Sequence, residues 1–172
     1  MISIIIATDT NGGVGKDNDI PWLGKYPQDM KFFKNKTTNN VVVMGNNTWK
    51  SIKEQYRPLP DRINVVVAGT HDTQLHRGAN TVILPHEKAS VVNRIESLDV
   101  MHEDKEIFII GGPKLIDSVM TVVDRLYITR IPETYDCDTF FDPDLSDFEQ
   151  IEILPLCQDC DKPVDVYVYQ RK

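Results

Sequence analysis

Five short runs of apolar, mostly β-branched residues set the frame for this chain. They are "ISIIIA" (2–7), "VVVMG" (41–45), "INVVVAG" (63–69), "TVIL" (81–84) and "EIFIIGG" (106–112). None shows the polar–apolar alternation of a half-exposed strand. Near-continuous apolar strands are buried on both faces, the situation of a parallel sheet covered by helices on each side. Helical patterns separate most of the runs. One spans about 27–37 and opens at Pro27, whose missing N–H is harmless in a first turn. A short second helix follows "VVVMG", with Asn46 or Asn47 as its N-cap and Trp49 and Ile52 on one face. A third covers about 87–99 with Val91, Ile95 and Leu98 in register. A fourth starts at Pro113 and carries the stripe Leu115, Ile116, Val119, Met120 and Val123.

The last third changes character. "RLYITRI" (125–131), "FEQIEIL" (148–154) and "VDVYVYQ" (164–170) are strand-like with little helix between them. In the last, Val164, Val166 and Val168 share one face and Asp165, Tyr167 and Tyr169 the other. The expected fold class is therefore α/β: one domain over residues 1–172, with a mostly parallel central sheet finished by an antiparallel C-terminal hairpin. Such sheets bind ligands at the C-terminal ends of their strands, which directs attention to the loops after residues 7, 45, 67 and 110.

Composition narrows the functional classes. A chain of 172 residues, 41% hydrophobic, supports one sizeable core rather than two. A formal net charge of −7 argues against nucleic acid or an anionic membrane as partner. The apolar N-terminal run has no basic segment before it and is too short to span a bilayer, so it reads as a buried strand and the protein as cytoplasmic. Three Cys make a poor disulfide framework. Cys157 and Cys160 form a single CxxC, without the second pair a structural zinc site needs, and the favoured reading is a plain hairpin loop with no metal.

The loop after the first run, "TDTNGGVGKDNDIPW", is rich in Gly and about 20 residues long, far beyond an ordinary connector and in the range of functional lids. "MGNNTW" and "IIGGPKLI" each end a strand with Gly and begin a helix at once. Two such turns in one sheet could grip the two ends of a phosphorylated cofactor, with Thr48 adding a hydroxyl. Neither is a GxGxxG fingerprint. In "PQDMKFFK", Asp29 lies three and four residues from Phe32 and Phe33, so a carboxylate crowds two rings on one helix face. Local pattern leaves open whether it faces water at a helix end or is buried for a purpose. Arg62, with a Lys of the first helix, could clamp a substrate carboxylate, although a solvated charge is the blander alternative.

Taken in order and spacing, "DNDIPW", "DMKFF", "VVVMGNNTWKSI", "RPLPDRINVVV", "IFIIGGPKLI", "LYITRI" and "DTFF" resemble the dihydrofolate reductase family from Ile2 to Tyr169. The resemblance implies an eight-stranded sheet with four flanking helices. It implies NADPH-dependent reduction of 7,8-dihydrofolate to 5,6,7,8-tetrahydrofolate, which supplies one-carbon and thymidylate metabolism. It also implies sensitivity to antifolates such as methotrexate or trimethoprim, and a monomer. By the same resemblance Asp29 holds the pterin, Thr129 hydrogen-bonds Asp29, and Trp22 holds an ordered water. Ile5, Met30, Phe33, Ile52, Leu59 and Ile110 line the substrate, and Arg62 binds its glutamate carboxylate with Lys34 as helper.

On the cofactor side the resemblance implies Ala7, Val14, Asn18 and Ile20 around the first loop. It further implies Gly45, Asn46, Asn47, Thr48 and Ser51, then Ala68, Gly69 and Thr70, then Gly111, Gly112, Pro113, Lys114 and Leu115, with a cis Gly111–Gly112 bond. Asp138 matches an acid that pairs with the mobile loop in some members. Three positions depart from the pattern. Asn46 stands where many members carry Arg at the phosphates. Ala68 and Gly69 stand where small hydroxyl residues often hold the 2′-phosphate, with Thr70, His71, Arg77 or Lys114 as substitutes. Ile116 stands where many have an aromatic residue. Two other readings remain: a related reductase of the riboflavin pathway, and a non-catalytic protein that keeps the fold.

Overall fold

The runs of Val and Ile assemble into one eight-stranded sheet. The computed structural model describes residues 1–68, 81–84, 88–157 and 161–172, the side chains of 81–84 and 88–90 excepted. Gly69, Thr70, His71, Arg77 and Cys160 lie outside the described residues. The strands are β1 (Ile2–Thr8), β2 (Gly13–Gly15), β3 (Val41–Gly45), β4 (Ile63–Val67), β5 (Thr81–Leu84), β6 (Ile107–Ile109), β7 (Arg125–Arg130), β8 (Thr139–Phe140), β9 (Phe148–Pro155) and β10 (Asp165–Arg171). The helices are α1 (Pro27–Thr37), α2 (Asn46–Ser51), α3 (Lys88–Met101) and α4 (Pro113–Val119).

The sheet order is β5-β4-β3-β6-β1-β7-β10-β9. The pairs from β5 across to β7 are parallel, and β10 runs antiparallel to both β7 and β9. This is the expected parallel sheet with an antiparallel C-terminal hairpin. Val164, Val166 and Val168 are buried, as their alternation requires. Cys157 lies in the connection between β9 and β10. Among the described residues no group of three or more His, Cys, Asp or Glu is placed to hold a metal, and no helix is long and apolar enough to cross a membrane.

Each sheet face has its own core. Ile2, Ile4, Val41, Val43, Val65, Ile107 and Ile109 pack with Val91, Ile95 and Leu98 of α3 and with Leu115, Ile116 and Val119 of α4. Ile5, Val42, Met44, Val66, Phe108 and Tyr127 face the other way, toward Trp49 of α2 and Phe32 and Phe33 of α1. Adjacent strand residues therefore serve opposite cores, and each fully buried Val or Ile contributes about 1.5–3 kcal/mol.

Three details differ from the sequence reading. Gly45, not Asn46 or Asn47, is the N-cap of α2, so both Asn lie inside the first turn. Gly supplies no Cβ at the strand-to-helix corner, where a Cβ would sit 3.7 Å from the Gly112 nitrogen. The stripe from Leu115 to Val123 is split, because α4 gives way at Met120–Val122 to a 3-10 turn. Last, β2 and β8 form a separate two-stranded sheet that no periodic pattern announced.

Candidate active site

α1 packs unlike the other helices. Its only fully buried residue is Thr37, while α2 buries Trp49 and α4 buries three apolar side chains. Phe32 and Phe33 reach the core only partly buried. Phe33, Ile52, Leu59 and Ile110, each partly buried, meet in one apolar cluster with buried Ile5 behind them, and this partly exposed seam along α1 is the α1 cleft. Met30 is exposed at 43% and Lys34 is also exposed, so these two stand at the rim.

Charged groups occupy both ends of α1. Asp29 lies in its first turn and is partly buried. Burial pushes its carboxyl above the usual range, and the nearby Thr129 hydroxyl offsets part of that rise. Thr129 is itself buried on β7, in register with Ala7 of β1. At the far end, Arg62 precedes β4 and is 6% exposed. Its Nε donates to the Pro60 carbonyl at 2.8 Å and an Nη to Thr37 Oγ1 at 3.1 Å. Thr37 Oγ1 in turn donates to the Phe33 carbonyl at 2.8 Å. The guanidinium lies 6.0 Å from the Phe33 ring centre, and burial lowers its pKa. Thr37 lies eight positions after Asp29 on the helix, a rise of about 12 Å at ~1.5 Å per residue. The cleft thus offers an anionic end, apolar walls and a fixed cationic end.

Trp22 is buried in the turn before α1, where its ring meets Tyr135 at 5.4 Å and packs with Tyr26, Ile131 and Val164. The loop before it is pinned to the segment after β7. Asp17 N–H donates to Asp138 Oδ2 at 2.9 Å, Asp138 N–H to the Gly15 carbonyl at 2.9 Å, and Lys16 pairs with Asp136 at 3.2 Å. Asn18 and Ile20 are exposed in that loop, and Val14 packs against the core.

The second cluster of expected residues lies where β3 and β6, adjacent strands, end. The Gly45 N–H donates to the Gly111 carbonyl at 2.8 Å. The Gly111–Gly112 peptide is cis, and Gly111 has φ +127, a conformation other residues rarely adopt. A Cβ there would stand 3.3 Å from Thr48 Oγ1. Gly45 and Gly112 cap α2 and α4 with no side-chain hydrogen bond. Thr48, Ser51 and Pro113 are partly exposed, Asn47 and Lys114 exposed, Leu115 and Ala68 buried. The first turns of α2 and α4 thus start at Gly with no side-chain cap, an arrangement that fits a phosphorylated linker.

Residues 1–171 match the family model described as dihydrofolate reductase. The chain belongs to the dihydrofolate reductase family. The dihydrofolate reductase of Haemophilus influenzae is 39% identical over 153 residues, covering 88% of this chain and 83% of that protein. That of Bacillus subtilis is 36% identical over 142 residues, covering 82% and 75%. Among solved structures, dihydrofolate reductase from Enterococcus faecalis complexed with NADP(H) and RAB-propyl superposes with a TM-score of 0.80 at 29% identity, covering 100% of this chain and 96% of that one. Membership makes this an oxidoreductase fold of the NADP-dependent type.

Two groups of this family member escaped the sequence reading. Asp9, at the end of β1, is 1% exposed. Its signal was present: an acid followed by Thr-Asn-Gly-Gly is an Asx-turn pattern. The other is the Glu133 carboxylate, which accepts from Tyr135 Oη at 2.5 Å and pairs with Lys162. The Tyr26 hydroxyl lies near both without a well-formed hydrogen bond. No spacing links 26, 133, 135 and 162 along the chain.

Proposed function

We propose that this protein reduces 7,8-dihydrofolate to 5,6,7,8-tetrahydrofolate with NADPH. The observation that carries the reading is the α1 cleft, with partly buried Asp29 near Thr129 at one end and Arg62 locked by Thr37 and Pro60 at the other. A flat ring bearing an amino group and an adjacent ring nitrogen offers two donors to the carboxylate. An aromatic linker suits the walls of Ile5, Phe33, Ile52, Leu59 and Ile110, with Met30 at the rim. A terminal carboxylate suits Arg62, with Lys34 beside it.

NADPH, when bound, supplies the hydride to pterin C6. Gly45, Thr48, Gly111, Gly112 and Lys114 would hold its phosphates, and Ala7, Val14, Asn18 and Ile20 its nicotinamide end. The residues present fit such a group, since a Cβ at Gly45 or Gly111 would fill the cradle. Asp29 binds and orients the pterin and polarises it, and solvent held beside Trp22 supplies the proton to N5. A carboxyl with a raised pKa is protonated over a wider pH range than an exposed one. A reductase of the riboflavin pathway is disfavoured, because that reading gives Arg62 no carboxylate to bind.

The test is a turnover assay with purified protein, dihydrofolate and either NADPH or NADH. The reading predicts turnover with NADPH and a higher Michaelis constant for NADH. Binding of NADPH without turnover would instead favour a non-catalytic protein that keeps the fold.

A further inference from the structure

A carboxylate that is 1% exposed is rare unless its oxygens are fully engaged. Asp9 meets that condition by dividing its two oxygens between two segments. Oδ1 accepts the N–H groups of Asn11 and Gly13, both at 2.8 Å, in the loop between β1 and α1. Oδ2 accepts the Tyr135 N–H at 2.9 Å, with Cys137 Sγ at 3.9 Å, in the segment between β7 and β8. Burial pushes this carboxyl up, but the three backbone N–H groups outweigh it and hold the group below its ordinary value. The two segments join further along, where Phe141 N–H donates to the Gly12 carbonyl at 2.8 Å and β2 pairs with β8. Tyr135, whose N–H Asp9 holds, places its ring against Trp22. Gly13 is tied to the same point: a Cβ there would fall 2.5 Å from Cys137 Sγ and 3.1 Å from Asp9 Cγ.

We propose that Asp9 is a positioning residue for the reductase reaction, its buried carboxylate fastening the loop between β1 and α1 to the 135–137 segment and so setting Trp22 and the loop over the α1 cleft. Asp9 touches no reacting atom. It acts through Gly13 on one side and through Tyr135 and Trp22 on the other. The inference rests on the proposed reductase function.

Asp9→Asn tests it with almost no change of shape. An amide keeps one acceptor oxygen, so its NH2 must confront N–H donors of one segment or the other. The expected result is faster amide hydrogen exchange at Gly13, Asp17 and Tyr135, with β3 and β6 amides unchanged. Hydride transfer should fall roughly 10- to 100-fold, while dihydrofolate affinity changes less than about threefold, a split that general destabilisation would not produce. Gly13→Ala should reproduce the loosening, and Gly13→Ala/Cys137→Gly should partly restore the loop by clearing the clash. That pair decides the matter if Asp9→Asn does not fold. Unchanged exchange in the loop, or a loosened loop with unchanged hydride transfer, overturns the proposal while a working wild-type enzyme leaves the reductase reading intact. A wild-type protein without turnover overturns both.

Discussion

In the proposed reaction, Asp29 would serve chemistry at the expense of the fold. Its folded pKa is raised by burial, so the native state holds its proton more tightly than the unfolded chain. Stability from this group therefore falls as pH rises from the ordinary carboxylate value through the raised one, and stays lower above it. Asp29→Asn removes that cost. It should melt a few degrees higher than wild type at neutral pH, and scanning calorimetry at acidic and neutral pH checks that the gain shrinks at low pH. Arg62 makes the opposite case. Its fork is set by Pro60 and Thr37, and Lys cannot present two parallel donors from that site. Arg62→Lys should raise the Michaelis constant for dihydrofolate by roughly 10-fold or more, with kcat changed little. A matching loss in kcat would show that the guanidinium acts on the reaction rather than on the tail.

The strands were legible because burial on both faces leaves a compositional mark, and β1, β3, β4 and β6 carry it over several residues each. β2 and β8 were not legible. They pair Gly13 and Gly15 with Phe140 and Thr139, too short for any period and built by contacts across more than a hundred residues. The N-cap of α2 was misplaced because Asn is the commoner cap by type, while the helix starts directly after the strand, with extended Gly45 as its cap. Gly111 stands at the same corner. With φ +127 and Thr48 Oγ1 at 3.3 Å from a Cβ position, Gly111→Ala should cost about 1–3 kcal/mol of stability and weaken NADPH binding. Denaturant titration and a binding isotherm check the two effects separately. Wild-type stability in that variant would mean the corner is less constrained than its backbone indicates.

At the scale of the whole molecule, the sequence marked the elements and the order of motifs, but not the long-range polar ties that fix the loops around the cleft. Asp29, Thr129 and Arg62 stand in motifs on or beside strands and helices, which is why the sequence marked them as candidates. Asp9 and Glu133 were not marked, since their partners come from other parts of the chain. Glu133 joins the segment after β7 to the hairpin loop at Lys162. The Lys162 ammonium, with the Tyr135 hydroxyl, lowers its pKa to about 2. For a depressed carboxyl, the stabilisation is present above the unfolded value near 4.5 and is lost as pH falls toward about 2. Lys162→Met should therefore flatten the pH dependence of stability between those values, with a smaller effect in high salt. Urea titrations at several acidic pH values measure it, and an unchanged profile would assign the acid sensitivity elsewhere.

The central claim is that a carboxylate at one end of the α1 cleft orients a pterin for reduction. Single-turnover hydride transfer from NADPH to dihydrofolate, followed across pH in wild type and Asp29→Asn, tests it most directly. The wild-type rate should be governed by an apparent pKa above the ordinary carboxylate range. Asp29→Asn, still binding substrate, should be slower by roughly 100-fold or more at neutral pH. Near-normal hydride transfer in Asp29→Asn, with the same pH profile as wild type, would contradict the claim.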